Sequence, residues 1–481
     1  MRRLITLSLL ALLIGLTGYQ ASASNERTGS ANVPRVGDQL GVSTYPTGTW
    51  NSGIQVQNPT TSSATVQIRF YDSAGLQIYI TTAATVAAGG SQTYYLPDDA
   101  FASLPNGKYS GVVESDQAVV AVVNETNYTN KGLADSYNGI STGSTSLNLP
   151  LVYRARNSTD SMIAVQNTDA STTANITMRF IGTPPSTVDW SKTDTIPILA
   201  SKTYDISSST FDSLGAPFLG SLSISSNTNV AAIAHSVKNT SDGELSIYRA
   251  FSTGATRFLA PLVYNQWTGA TTSDALSGVQ VQNLGGTADT ITMVYTLAPA
   301  LGGASYTSSQ TVAANASTTF YMPTFPGVPA GNYGSAVISS GSNQIVVVVN
   351  NVKSATGIAS AYNAFTDGSG STRVVAPLVF NQYSPDWITG IQVMNVGSAS
   401  DTVTMVFRPT NSVSGSVASY SKNLNVAAGS NNTFYLPNFP DIPAGLYGTA
   451  EITSTSQKII AVINTTKYSA NISTAYTGIN E

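Results

Sequence analysis

Four copies of one short pattern, each a domain length from the next, constrain this chain more than any other feature of its sequence. The closing asparagines of the copies lie 109, 116 and 112 residues apart. A period of that length predicts one folded domain per copy, rather than the stacked turns of a solenoid. The copies are GIQVQN (53–58), MIAVQN (162–167), GVQVQN (278–283) and GIQVMN (390–395).

Other segments recur around each copy in the same order. In the third repeat an apolar segment, APLVY (260–264), precedes the copy, and a β-branched segment, ITMVY (291–295), follows it. Later come VAANASTTFYMP (312–323), the turn PAGNYG (329–334) and IVVVVNN (345–351). Because this whole succession recurs, each repeat is expected to build the same set of elements.

The recurring segments have the composition of strands. They are short, rich in β-branched and aromatic residues, and separated by clusters of Gly, Ser, Asn and Pro. No stretch beyond the N-terminus shows a helical period. We therefore predict an all-β protein, with four tandem immunoglobulin-like or fibronectin-III-like β-sandwich domains after a cleaved signal peptide. IVVVVNN is expected to be a central strand that is buried on both faces.

The sequence divides into six predicted parts. They are a signal peptide (1–23), a disordered N-terminal segment (24–39), repeat 1 (40–146), the divergent repeat 2 (147–255), repeat 3 (256–371) and repeat 4 (372–481). Linkers rich in Gly, Ser and Thr predict four beads on a string, tethered closely but with some freedom. Repeat 1 has VPRV (33–36) at the place of the apolar first strand. Its first strand is expected to be weak or missing, which suggests a gap that a neighbouring molecule could fill.

The GIQVQN pattern itself is interpreted as an early strand of each sandwich. Ile54 and Val56 alternate with glutamines, so the apolar face is expected to point into the core and the glutamine face away from it. The closing Asn58 begins a turn, where its side chain can bond the local backbone. The pattern recurs because it solves a folding problem, and it need not bind a ligand.

The N-terminus predicts export. Arg2 and Arg3 precede the apolar stretch 4–16, and Ala21 and Ala23 form a small-x-small cleavage pattern. The apolar stretch is shorter than the roughly 20 residues of a spanning helix, so no membrane insertion is expected in the mature form. We predict a secreted protein at the extracellular cell surface.

Composition excludes several chemistries. Charged residues make up 10% of the chain and the net charge is -4, which leaves no basic surface for nucleic acid. There are no cysteines and one histidine, which excludes disulfides, thiolate sites and multi-histidine metal sites within one chain. His235 is opposite Asn124, Asn350 and Asn464 in the other repeats, which favours a polar strand-end position over catalysis. No catalytic, cofactor-binding or metal-binding residue is predicted, and the protein is not expected to be an enzyme.

Aromatic side chains are the candidates for binding. Trp50, Trp267 and Trp387 lie just before the GIQVQN-type strands, and Tyr383 is near the last of them. Such rings can stack on sugars if they are exposed, or pack against a neighbouring domain if they are not. Packing is the more common fate of large aromatic residues. Tyr137 and its counterparts Tyr248, Tyr362 and Tyr476 are predicted to be structural tyrosines that seal the last strand.

The succession PLVY, GIQVQN, VAAGGSQTYYLP, PAGNYGSAV, VVVVN and AYN resembles secreted repeat proteins of filamentous green non-sulfur bacteria. It is also similar in general to bacterial immunoglobulin-like surface repeats. The resemblance covers residues 40–480 and implies an immunoglobulin-like sandwich and an extracellular location. It implies no activity and no site residues.

The sequence thus favours a non-enzymatic extracellular structural or adhesive protein that assembles into a surface layer or fibre. The expected partners are the protein itself or other surface proteins. The alternative is a carbohydrate-binding surface protein that holds cell-wall or extracellular polysaccharide with its loop aromatics. No cofactor is expected in either case.

Overall fold

The computed structural model describes the backbone of 31–38 and residues 50–96, 98, 101–127, 133–238, 243–268, 274–353, 356–384, 386–410 and 419–481. Strands dominate this part of the chain, and all their ladders are antiparallel. The all-β prediction is confirmed. The predicted signal peptide lies outside the described residues, and the predicted domain boundaries stay a prediction.

Repeats 3 and 4 show the shared strand order most completely. Repeat 3 contains β17 (Arg257–Trp267), β18 (Ala275–Asn283), β19 (Asp289–Leu297), β20 (Ser305–Val312), β21 (Ser317–Tyr321), β22 (Asn332–Ser340), β23 (Ile345–Lys353), β24 (Ile358–Asn363) and β25 (Phe365–Thr366). Repeat 4 contains β26 (Arg373–Tyr383), β27 (Trp387–Asn395), β28 (Asp401–Pro409), β29 (Tyr420–Val426), β30 (Asn431–Tyr435), β31 (Leu446–Ser454), β32 (Ile459–Lys467), β33 (Ile472–Thr477) and β34 (Ile479–Asn480).

Repeats 1 and 2 follow the same order with local changes. Repeat 1 contains β1 (Ala31–Asp38), β2 (Trp50–Gln57), β3 (Ala64–Tyr71), β4 (Gln77–Ile80), β5 (Ala84–Val86), β6 (Ser91–Tyr95), β7 (Gly107–Ser115), β8 (Val120–Asn127) and β9 (Leu133–Asn138). Repeat 2 contains β10 (Ser144–Arg154), β11 (Thr159–Asn167), β12 (Ala174–Gly182), β13 (Asp189–Ile196), β14 (Ser201–Asp205), β15 (Phe218–Lys238) and β16 (Glu244–Arg249). The long strand β15 takes the place of two strands of the other repeats. It pairs with β10 and β12 near its start and with β11 and β16 near its end.

Each repeat has two layers of strands. In repeat 3 the first layer has the order β20-β19-β22-β17, and the second has the order β21-β18-β23-β24. The predicted central strand β23 lies between β18 and β24, and Ile345 to Val349 are fully buried, which confirms that prediction. Strands β9, β16, β24 and β33 each form one edge of the second layer of their repeat. These four edge strands are where the repeats contact one another at the centre of the molecule.

The structure corrects the expectation for the N-terminal segment. Residues 31–38 form strand β1, which pairs antiparallel with β7, as the first strands of the other repeats pair with their counterparts of β7. This part of the segment predicted as disordered is therefore a strand, and the first strand of repeat 1 is present. The idea that a neighbouring molecule fills a gap here loses its motivation, since the chain fills the place itself.

The string of beads is also wrong, because the repeats share their cores in a closed circle. The core of repeat 1 includes Ile233 and Ile247 of repeat 2, and the core of repeat 2 includes Val348 of repeat 3. The core of repeat 3 includes Val462 of repeat 4, and the core of repeat 4 includes Val122 of repeat 1. Apolar surface that a free bead would expose is thus buried at every junction, which holds the repeats together as one body.

The glutamine face of the GIQVQN strands lies at these junctions. The first-layer strand of each repeat contacts the second layer of the next, and β26 of repeat 4 contacts β2 and β8 of repeat 1. Ile54 and Val56 are fully buried as predicted, but Gln55 and Gln57 are 1% exposed as well. The strand is therefore buried on both faces. Some of the glutamines are bonded within the repeat; the amide of Gln280, for example, donates to the hydroxyl of Ser317 on the neighbouring strand at 2.9 Å.

Candidate functional site

Strands β9, β16, β24 and β33, called the axial strands below, meet on a common axis. Strand β9 contacts β16 and β33, and β24 contacts the same two strands. Each is an edge strand of its own sheet, so each brings unpaired backbone groups to the centre. The axis is where the four repeats meet most directly.

One carboxylate accepts the backbone donors of the axis. Asp135 of β9 accepts N–H bonds from Ile247 at 2.6 Å, Ala361 at 3.0 Å and Ala475 at 2.9 Å. The N–H of Ser136 also bonds it. These four donors occupy the same position in the four repeats, directly after Asp135 or its counterpart. A single side chain of repeat 1 therefore satisfies one backbone group from every repeat.

The charge state of Asp135 is set by two opposing effects. Burial raises the pKa of Asp135 well above its ordinary value, and the four N–H donors oppose this by favouring the ionised form. The counterparts of Asp135 are Ser246, Ser360 and Thr474. Carboxylates at all four positions would repel one another on the axis, so the uncharged counterparts fit a centre with one carboxylate.

The predicted structural tyrosines are confirmed in three repeats. The hydroxyl of Tyr248 donates to the carbonyl of Leu151 at 2.6 Å and accepts the N–H of the same residue at 3.1 Å. Tyr362 bonds Leu262 in the same way, and Tyr476 bonds Leu378. Each tyrosine fastens the axial strand to the first strand of its repeat, where a bulge leaves both groups free of the ladder.

His235 belongs to a junction between repeats. Its Nε2 lies 3.2 Å from Oε2 of Glu125, and both side chains are buried. At the equivalent junction of repeats 3 and 4, the amide of Asn464 donates to the hydroxyl of Tyr264 at 3.1 Å. Asn350 bonds Tyr153 across the junction of repeats 2 and 3, where burial raises the pKa of the tyrosine to about 12. The position is a polar junction, so the expected polar role is confirmed, although it acts between repeats.

The candidate stacking residues lie in different surroundings. Trp50 is 2% exposed and begins β2, so it has no free ring face and is withdrawn as a sugar-stacking residue. Trp387 stacks on Phe380 with ring centroids 5.5 Å apart, and the ring of Tyr383 lies 5.9 Å from that of Phe380. The two residues form one half-buried aromatic cluster at the end of β26, to which Tyr447 also belongs.

Trp267 lies in a cleft between repeats 3 and 4. Its ring centroid is 4.8 Å from that of Tyr333, and the cleft has a volume of about 530 Å³. Tyr435 and Tyr468 of repeat 4 line the same cleft. The remaining lining includes uncharged polar side chains and the cation Lys353, and it contains no carboxylate among the described residues. Of the predicted stacking residues, Trp267 alone lines this cleft.

Sequence reasoning missed Asp135 and the two tyrosines of repeat 4. The counterparts of Asp135 are Ser or Thr, so the repeat pattern does not mark this position. The one available signal is an acidic residue two positions before the structural Tyr137, within a strand. Tyr435 and Tyr468 could not be joined to Trp267 without the closed arrangement of repeats.

In the part of the chain that the structure describes, no group of three or more His, Cys, Asp or Glu side chains could hold a metal ion. The same residues include no helix long and apolar enough to cross a membrane.

Comparison with known proteins identifies no family for this chain. No family model matches the sequence, and no curated protein matches it. Similar solved structures include Thermotoga maritima 1070, at 12% identity over 23% of this chain and 96% of that chain, with a TM-score of 0.20. Another is a tetra-tandem repeat from the extending region of a large adhesion protein, at 14% identity over 94% of this chain and all of that chain, with a TM-score of 0.12. TM-scores this low carry no argument about function, and no family supports the resemblance to proteins of green non-sulfur bacteria.

Proposed function

We propose that this protein is a non-enzymatic extracellular structural or adhesive protein, in which four repeats act as one rigid unit that assembles with copies of itself. The observation that carries the proposal is the closed circle of shared cores. Because the axial edges are used internally, the edges that remain for other molecules include the outer strands of the first layers, such as β13 and β20. The unit thus presents several similar edges around one body, which suits repeated weak contacts.

Strand β20 is the outer edge best suited to pairing with another copy. Its sequence SYTSSQTV has no charge, and Ser305, Thr307 and Ser309 are exposed. The equivalent strand β13 carries Lys192 and Asp194, and charged side chains on an edge strand disfavour its pairing with another chain. Assembly is therefore expected to use β20 before β13.

Negative-stain electron microscopy and light scattering of residues 24–481, over a range of concentration, test this. We expect sheets or filaments with the wild type, and their loss with Thr307→Lys. Ser191→Lys is the matched control, since Ser191 occupies the same register position in β13. Single particles at every concentration, or equal effects of the two substitutions, would contradict assembly through this edge.

Carbohydrate binding is a second candidate function, favoured by the cleft between repeats 3 and 4. The rings of Trp267, Tyr333, Tyr435 and Tyr468 gather there beside uncharged hydrogen-bonding groups. Ring faces stack on the apolar C–H surface of sugars, and amides and hydroxyls bond their hydroxyls. A polysaccharide is the ligand that suits this lining, in which Lys353 is the one charged side chain among the described residues.

Retention on insoluble polysaccharides and isothermal titration with soluble oligosaccharides test the second candidate. Tyr435→Ala is expected to weaken binding by about tenfold, as the loss of one stacking contact of roughly 1–1.5 kcal/mol implies. Tyr321→Ala is the control, because Tyr321 is the counterpart of Tyr435 in repeat 3 and is 46% exposed. Equal binding by both variants would exclude this cleft as the sugar site.

A further inference from the structure

A funnel opens on the common axis beyond the ends of the axial strands β9, β16, β24 and β33. Its volume is about 460 Å³, and the segments that follow β9, β16, β24 and β33 line it together. It therefore exists only because the circle of repeats is closed. Asn138, Arg249, Asn363 and Thr477 are equivalent residues of the four repeats, and all four line the funnel.

Three of these four residues are uncharged, and they tie the strands in pairs. Asn138 donates to the carbonyl of Thr477 at 2.7 Å and accepts the hydroxyl of the same residue at 2.9 Å. Asn363 donates to the carbonyl of Arg249 at 2.7 Å and accepts the N–H of Arg249 at 3.1 Å. The backbone of Arg249 is thus fixed by repeat 3, while its side chain is left for the funnel.

The guanidinium of Arg249 has no anionic partner among the described residues. No carboxylate lies within salt-bridge distance of it, and the lining of the funnel includes neither Asp nor Glu. One N–H donates to the carbonyl of Gly139 at a long 3.4 Å. Asp135 lies three strand positions away, roughly 10 Å along the axis, and faces its own donors. The funnel therefore holds one half-buried positive charge.

Burial of this charge is costly without a partner. Burial lowers the pKa of Arg249 to about 10, which leaves the side chain charged at neutral pH. A half-buried cation is compensated best by an anion that accepts its planar pair of N–H groups. Hydroxyls of Ser141, Thr142, Ser252 and Thr253 line the same funnel and can donate further bonds.

We propose that the axial funnel is an oxyanion-binding site, in which Arg249 holds a sulfate or carboxylate group, free or carried by an acidic sugar. The volume accommodates a sugar ring as well as a small ion, and the hydroxyl-rich lining suits either. Because the site is built from all four repeats, its occupation stabilises the closed circle. This proposal is independent of the outer edge strands and of the cleft between repeats 3 and 4.

Thermal unfolding with added anion tests the proposal. Sodium sulfate, sodium glucuronate and glucose are titrated at millimolar concentration, against sodium chloride of equal ionic strength. This range lies below that in which sulfate stabilises proteins in general by exclusion from their surface. We expect a saturable rise in Tm with sulfate or glucuronate and no rise with glucose.

Two variants assign the effect to Arg249. Arg249→Asn introduces the residue that repeats 1 and 3 already carry at this position, and it should abolish the saturable rise. Arg249→Lys keeps the charge but loses the planar fork, and it should bind about tenfold more weakly, so it preserves the test if the first variant fails to fold. Arg179→Gln removes an exposed arginine elsewhere in repeat 2 and should bind as the wild type does.

The outcomes separate the sources of the anion. A rise with both sulfate and glucuronate supports a site for which the free ion suffices, and a rise with glucuronate alone supports an acidic sugar. No saturable rise with either anion would overturn the proposal. So would a rise that persists unchanged in Arg249→Asn, because the anion would then bind elsewhere.

Discussion

Removal of the Asp135 side chain is the sharpest test of the closed circle. In Asp135→Ala the N–H groups of Ile247, Ala361 and Ala475 lose their acceptor inside the protein. A buried N–H without a partner costs roughly 1–3 kcal/mol, so three of them cost about 3–9 kcal/mol. That range overlaps the whole stability of a typical domain, about 5–15 kcal/mol. We expect the axis to open in this variant.

Thermal unfolding and small-angle X-ray scattering measure the effect. If the described chain unfolds as one unit, the expected fall in Tm is about 3–9 °C, from a typical unfolding entropy near 2.1 cal/mol/K per residue. The wild type should have a radius of gyration of roughly 22 Å, as a compact body of about 450 residues does, and an opened circle should be larger. Ser246→Ala is the control, because Ser246 is the counterpart of Asp135 in repeat 2 and is equally close to the axis.

A melting temperature within about 1 °C of the wild type, together with an unchanged radius of gyration, would refute the reasoning. It would mean that these three donors find other acceptors at no cost, or that the shared cores alone close the circle. A fall of the same size in Ser246→Ala would also refute it, since any small change at the axis would then suffice.

Three further outcomes are expected. Since burial raises the pKa of Asp135, the folded state binds the proton of this carboxyl more tightly than the unfolded state does. The protonated carboxyl therefore contributes fully to stability below pH 3.8, and this contribution is lost as pH rises through the folded-state pKa. Urea unfolding at a series of pH values should show this loss in the wild type and not in Asp135→Asn, and a gain with rising pH would contradict it. Asn283→Ala breaks bonds to the carbonyls of Thr287 and Val312 and should lower the free energy of unfolding by roughly 2–4 kcal/mol in urea, whereas a loss below about 0.5 kcal/mol would contradict the turn-forming role. Tyr362→Phe removes the hydroxyl that fastens β24 to β17 and should lower the free energy of unfolding in urea by about 1–3 kcal/mol, with an unchanged free energy as the contrary result.

The parts of the structure that sequence predicted are those that each repeat settles by itself. Strand patterns, the buried β23 and the turn-forming asparagines follow from local periodicity and backbone bonding, and the structure confirms them. Asn58, for example, donates to the carbonyl of Ser62 at 2.7 Å and accepts the N–H of Thr60 at 3.0 Å. These interactions lie within one repeat, so the residues that make them recur in the sequence of every repeat and can be recognised there.

What the sequence did not show is how the repeats pack against one another. Gln55 looks like a solvent-facing residue in an alternating strand, and its burial depends on a strand more than 300 positions later in the chain. Linkers rich in Gly and Ser fit a flexible string and a tight circle equally well. Their length limits the distance between neighbouring repeats, but it does not determine the orientation of one repeat relative to the next. Arg249 and Asp135 acquire their surroundings only where the four repeats meet on the axis, so no local sequence pattern could identify their roles.

A closed circle gives differences between the repeats a physical use. Independent domains on a string could be identical, because each would fold without its neighbours. A circle that closes in one order benefits from junctions that differ, since a wrong pairing then leaves buried polar groups without partners. Two junctions have their own pairs, Glu125 with His235 and Arg373 with the carbonyl of Pro59 where repeat 4 meets repeat 1. The other two share one kind of pair, Tyr153 with Asn350 and Tyr264 with Asn464.

Repeat 2, which departs most from the common pattern, supplies two of the unmatched residues. His235 serves the junction with repeat 1, and Arg249 brings the charge to the axial funnel. A function that needed four interchangeable repeats would be inconsistent with this division of roles. Ligands are instead expected where repeats meet, at single copies of a site: one cleft lined by Trp267, and one funnel that all four repeats build together.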